Sequence, residues 1–112
     1  MNKMDIIAYK GFLITDDQVL KRVINQLNKD LALSGLSYRF SDNINFNSFY
    51  KELMDWIEIS IIKNEALFIG FLYRVDIKDQ ELNKNKQFDI ENLAKSVLKR
   101  ELQKIILRSK IE

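Results

Sequence analysis

The chain has 112 residues and contains no cysteine, no histidine and no proline, with only three glycines. Lack of cysteine excludes a disulfide framework, a thiolate nucleophile and any sulfur-ligated zinc or iron–sulfur site. Lack of histidine removes the usual general base and the commonest metal ligand, so Ser-His-Asp and Cys-His catalysis are excluded. Carboxylate chemistry, with an Asp/Glu pair or a magnesium ion, is what remains. Gly11, Gly35 and Gly70 are too few and too scattered for a phosphate-binding or dinucleotide-binding loop. Without proline, helices have to be ended by caps, glycine or polar clusters. Long apolar runs are also missing. The N-terminal stretch through Ile6-Ile7-Ala8 is too short and interrupted for a signal peptide, and Ala66–Tyr73 is too short to span a bilayer. These features lead us to expect a soluble cytoplasmic protein.

What is present reads as one globular domain over residues 1–112. Hydrophobic residues make up 46% and charged residues 30%, enough apolar material for a core and too much for a disordered chain. Isoleucine, lysine and asparagine are abundant and alanine is scarce, a codon bias expected of an AT-rich bacterial genome.

Periodicity and capping residues predict four helices. Thr15 with Gln18 forms a capping box that opens the first, with Asp16 and Asp17 complementing its N-terminus. Val19, Leu20, Val23, Ile24, Leu27 and Leu31 fall on one face, and Ser34-Gly35 ends it. Leu36–Asn43 is a connector, whose Ser37-Tyr38-Arg39-Phe40 could form a short strand. Asn45 caps the second helix, which buries Phe49, Tyr50, Leu53, Trp56, Ile57 and Ile61 and ends near Lys63. Asn64 is read as the cap of a third helix, apolar on all sides from Ala66 to Tyr73 and therefore central. Gly70 in its middle points to a close helix crossing. Asp79–Lys84 can form one short helical turn, and Asn83–Gln87 is a polar loop. Asp89 caps the fourth helix, which runs to about Ser109. The first fourteen residues are ambiguous. A short helix over Asp5–Ile14 is favoured, because an isolated two-stranded ribbon is marginal. A strand after Gly11, pairing with Tyr38-Arg39-Phe40, is the alternative. The fold class expected is all-α, a bundle of four to five helices.

At 100° per residue, Ile90, Ala94, Val97, Leu98, Leu102 and Ile105 form the buried face of the fourth helix, and Glu101 falls among them. A carboxylate there needs a partner. Arg74, the basic residue embedded in the most apolar segment, is the expected one, forming a buried polar cluster with Tyr73 and Asp76. Register-fixing architecture is the plain interpretation of that cluster; a carboxylate enzyme using Asp76, Glu81 or Glu101 is the alternative. Glu52, Asp55 and Glu58 are expected on the solvated face of the second helix rather than around a metal. No catalytic residue, metal or cofactor is assigned.

Charge is uneven, with Lys95, Lys99, Arg100, Lys104, Arg108 and Lys110 against Glu101 alone in residues 95–110, while the whole chain is +2. Such a helix could bind nucleic acid or an acidic partner, or be a solvated face favoured by the helix dipole. No aromatic interleaves it for base stacking. Ile59, Ile62, Ile106, Leu107 and Ile111 lie off the main buried faces. They suggest a protein contact, unless the N-terminal segment covers them.

The strings Leu72-Tyr73-Arg74-Val75-Asp76-Ile77 and Leu98-Lys99-Arg100-Glu101-Leu102-Gln103-Lys104-Ile105 resemble small bacterial helical proteins of no assigned function. The resemblance covers the second half of the chain. It implies an all-helical bacterial cytosolic domain and carries over no activity. The function expected is a non-catalytic protein-interaction module, binding a partner or a second copy of itself. The alternative is nucleic-acid binding through the basic C-terminal helix.

Overall fold

The computed structural model describes residues 7–77 and 89–111, the side chains of 109–111 aside. Among them are four helices and one small hairpin: β1 (Ala8–Tyr9), β2 (Phe12–Leu13), α1 (Asp17–Leu33), α2 (Phe46–Lys63), α3 (Glu65–Arg74) and α4 (Ile90–Ile111). The all-α expectation holds. Asp79–Lys84, the loop Asn83–Gln87 and Glu81 lie outside the described residues.

The ends of α1 follow from local chemistry. Its cap is Asp16 rather than Thr15, because the Asp16 carboxylate accepts from the amides of Gln18 and Val19 at 2.9 and 3.3 Å. A carboxylate there also gains from the helix dipole, which the hydroxyl of Thr15 would not. At the far end, Leu36 N–H donates to Leu31 C=O and Gly35 N–H to Ala32 C=O, with Gly35 at φ +84. This is the paired hydrogen-bond pattern of a left-handed C-terminal cap. The end of α3 repeats it: Ile77 N–H bonds Leu72 C=O, Asp76 N–H bonds Tyr73 C=O, and Asp76 takes φ +67. Asp76 is thus the reversal residue that ends α3. Asn45 caps α2 as expected, its side chain accepting from Ser48 N–H at 2.9 Å, and Asp89 accepts from Asn92 N–H at 3.2 Å at the start of α4. Asn64, however, makes no side-chain cap bond to α3; it is a one-residue corner between α2 and α3.

The N-terminal segment is a hairpin and not a helix. Ala8 pairs with Leu13 and Tyr9 with Phe12 across a two-residue turn in which Lys10 and Gly11 both have positive φ, +49 and +87. Two left-handed residues make the primed turn whose twist suits a hairpin. The ribbon survives its small size because Ile7 and Ile14 at its ends are buried in the core and β1 lies against α4. It does not pair with residues 38–40.

The central element is α4, which packs along both α1 and α2, with β1 on a further side. The expected central helix α3 instead lies at the periphery. It buries Phe68, Phe71 and Leu72, while Ala66, Leu67, Gly70 and Tyr73 are exposed. No close crossing occurs at Gly70: a Cβ built there meets nothing within 4 Å. Gly70→Ala should therefore stabilise the protein by about 0.5–1 kcal/mol, the helix-propensity difference, with no packing cost. A lower urea midpoint for this variant would contradict the open surroundings of Gly70.

An aromatic cluster holds α2, α3 and the connector 36–45 together. The Trp56 ring meets Phe40, Phe68 and Phe71 edge to face at 5.6–5.9 Å, and Phe40 meets Phe49 at 5.5 Å. Edge-to-face geometry sets the positive ring edge against the negative face of its neighbour.

Candidate functional site

Two polar or exposed regions stand out from this frame. The first is a groove between the connector and α2. Leu36, Tyr38, Trp56 and Ile59 form apolar walls, with Glu52, Asp55, Ser60 and Asn64 also lining it, around about 580 Å³. The connector is held at both ends. Leu36 is tied to the end of α1, and Asn28 clasps Phe40 from both sides. Its side-chain nitrogen donates to Phe40 C=O and its oxygen accepts from Phe40 N–H, both at 2.8 Å. Between these anchors, Ser37, Tyr38 and Arg39 are exposed. The Tyr38 hydroxyl donates to the Glu52 carboxylate, bridging connector and helix. That bond, followed by partial burial and the nearby negative charge, pushes the Tyr38 phenol up to about 12, so it remains a neutral donor at physiological pH.

Apolar surface continues beyond the groove. Ile59 is 54% exposed, Ile62 77% and Leu67 45%. Leu67 lies against the Gly35 turn, 3.7 Å from where a Cβ would be, and Gly35 adjoins the groove wall at Leu36. The outer side of α2–α3 and the groove therefore share one edge. Of the five residues expected at a partner surface, Ile59, Ile62 and Leu107 are exposed, whereas Ile106 is buried at 2% exposure. Ile106 is inward because α4, being central, buries a wider arc than one stripe. The Ile111 side chain lies outside the described residues.

The second region is a polar seam between α1 and α4. Glu101 is fully buried, as expected, but Arg74 is not its partner. The inward arc of α3 is taken by Phe68, Phe71 and Leu72, which leaves Arg74 at the surface, where its Nε donates to Ser34 Oγ at 3.2 Å. Tyr73 and Asp76 are also exposed, and Asp76 pairs with Arg100, so the four residues form no single buried cluster. Glu101 faces α1 instead, beside Asp30. Asp30 receives Lys104 Nζ at 2.8 Å and Gln26 Nε2 at 3.2 Å, and Gln26 Oε1 accepts from Arg108 at 2.8 Å. Spacing explains the gathering: Gln26 and Asp30 are i, i+4 on α1, while Glu101, Lys104 and Arg108 are i, i+3, i+7 on α4. Neither Glu101 oxygen receives a hydrogen bond from a donor. A carboxylate facing another carboxylate would be repelled, so Glu101 can bond Asp30 only as the neutral acid, donating its proton. Burial raises its pKa most, followed by the hydrogen bond and charge of Asp30; Lys104 and Arg108 oppose this, and the result is about 9. Sequence reasoning found Glu101 and missed Asp30, although the wheel carried the signal: seven residues after Val23, Asp30 falls about 20° away, on the buried arc.

The basic residues of α4 are thereby largely committed within the fold. Lys104 goes to Asp30, Arg108 to Gln26, Arg100 to Asp76 and Gln103, and Lys95 to Glu91 at 3.5 Å; Lys99 is exposed. The two candidate carboxylates among the described residues, Asp76 and Glu101, do not converge either. Asp76 is at the surface and Glu101 is sealed in the α1–α4 seam. Among the described residues no three carboxylates gather at metal-binding distance, and no helix is long and apolar enough to cross a membrane. Comparison with known proteins found no matching family model, no matching curated protein and no matching solved structure.

Proposed function

We propose that this chain is a non-catalytic protein-interaction module of the bacterial cytoplasm, binding another protein through the outer side of α2–α3 and the adjoining groove. The observation that carries this reading is the exposure of Ile59, Ile62 and Leu67, three large aliphatic side chains around one edge of the fold. The partner is a different protein rather than a second copy. A two-fold interface uses the same patch on both copies, and none of the described residues lining the groove is a lysine or arginine that a second copy could bring to Glu52 and Asp55. A nucleic-acid role has weaker support, because phosphates would have to take Lys104 and Arg100 from Asp30 and Asp76.

Ile62→Glu and Leu67→Glu should each keep the helical circular dichroism and thermal midpoint of the wild type within about 0.5 kcal/mol, since both sites are exposed. Each should lower by tenfold or more the capture of a defined partner by the immobilised protein, with the wild-type chain as the control. Partner capture that survives both substitutions, or a wild-type chain that captures nothing, overturns the reading. A concentration-dependent dimer in sedimentation that both variants abolish would assign the surface to self-association instead.

A further inference from the structure

We propose that the groove between the connector and α2 is a binding site for a short peptide segment of the partner, one carrying an aliphatic or aromatic anchor next to a lysine or arginine. The inference rests on the interaction-module reading and names the chemistry of what is recognised.

Three observations converge on it. The walls formed by Leu36, Tyr38, Trp56 and Ile59 can take an apolar side chain and exclude water from around it. Two carboxylates, Glu52 and Asp55, stand one turn apart on α2 at the same groove, and among the described residues no basic side chain lines it. Glu52 is occupied by Tyr38, whereas exposed Asp55 makes no ion pair among the described residues. An incoming cation would meet both negative charges beside an apolar wall, where they are less screened than in open water. The third observation concerns the main chain. Ser37, Tyr38 and Arg39 make no backbone hydrogen bond to any described residue, although the connector is anchored on either side by Leu36 and by the Asn28 clasp on Phe40. Ser37 and Tyr38 line the groove, and their exposed main chain has water as its ordinary partner. A peptide backbone can replace that water at little cost in ordering, because the anchors have already ordered the connector.

Trp56 is the chain's only tryptophan and forms part of the wall, so it reports occupancy directly. The test begins with a phage-displayed library of random dodecapeptides selected on the full-length protein. Enriched sequences should share a large apolar residue within a few positions of Lys or Arg. A synthetic peptide of the enriched sequence should change Trp56 fluorescence saturably. Asp55→Lys should weaken that peptide at least tenfold, and selection on the Asp55→Lys protein should replace the basic residue by Asp or Glu. Lys29→Ala, at an exposed position of α1 that does not line the groove, should leave the peptide's affinity within twofold. Enrichment of peptides with no basic residue, an unchanged affinity for Asp55→Lys, or no enrichment at all overturns the groove assignment. None of these results touches the capture experiment with Ile62→Glu and Leu67→Glu, so failure of the groove and failure of the module reading are told apart.

Discussion

Glu101→Gln should make the protein more stable at pH 7, by about 1–3 kcal/mol, and should flatten its stability between pH 5 and 8.5. The native state holds Glu101 as a neutral acid with a pKa of about 9, whereas the unfolded chain releases the proton at its ordinary value of 4.5. Between those values the native state binds one proton more than the unfolded state. Stability is therefore full below about pH 4.5 and is lost as pH rises through about 9. Each pH unit in that window costs about 1.4 kcal/mol, which amounts to about 3 kcal/mol at pH 7. Glutamine has nearly the same shape, is neutral throughout, and can donate its amide to Asp30 where the acid donated its hydroxyl. The chain has no histidine, so no side chain at its ordinary pKa titrates between pH 5 and 8, and the slope can be assigned to this site. Urea denaturation of the wild type and of Glu101→Gln across this range measures the effect. A wild type whose stability rises toward pH 8, or a variant that is less stable at pH 7, would mean that Glu101 is ionised in the native protein.

Asn28→Ala should destabilise the fold by about 2–5 kcal/mol and loosen the groove wall. The Asn28 side chain satisfies both polar groups of the Phe40 backbone at 2.8 Å inside the core. Alanine would leave a buried N–H and a buried C=O without a partner, at about 1–3 kcal/mol each. The connector would then lose one of its anchors, and the Phe40 ring its fixed place 5.9 Å from Trp56. Near-ultraviolet circular dichroism and Trp56 fluorescence should change in the folded variant, well below its unfolding midpoint. Asn28→Asp keeps the acceptor and loses the donor, so it should fall between alanine and wild type. An alanine variant with wild-type stability and an unchanged tryptophan signal would show that Asn28 does not hold the connector.

Much of the helical framework was legible in the sequence. Asn45, Asp89 and Gly35 perform the end functions their residue types suggest, and the buried stripes of α1, α2 and α4 fall where the 3.6-residue period places them. The departures occur where two local signals compete. Asp16 outdoes Thr15 as a cap because a charged acceptor gains more at a helix start. A hairpin is not the expectation for the N-terminal segment because an isolated two-stranded ribbon is marginal, and the burial of Ile7 and Ile14 that compensates is a long-range effect.

The candidate site was legible only in its ingredients. That Glu101 would be buried follows from its own helix, and that Ile59 and Ile62 would be exposed follows from theirs. Which groups meet Glu101 depends on how α4 is rotated against α1, some 70 residues away in the chain. A wheel for each helix leaves that rotation free, and Arg74 and Asp30 were both compatible with a buried carboxylate. The same holds for which helix is central. An apolar circumference marked α3, yet α4 occupies the middle because it is longer and can bury separate strips against α1, α2 and β1 at once. Caps and periods act within a few residues, so the sequence by itself determined where helices begin, end and turn their apolar sides. Packing of whole surfaces decided the rest: the neutral acid in the seam, the Asn28 clasp, and the groove that the clasp holds open.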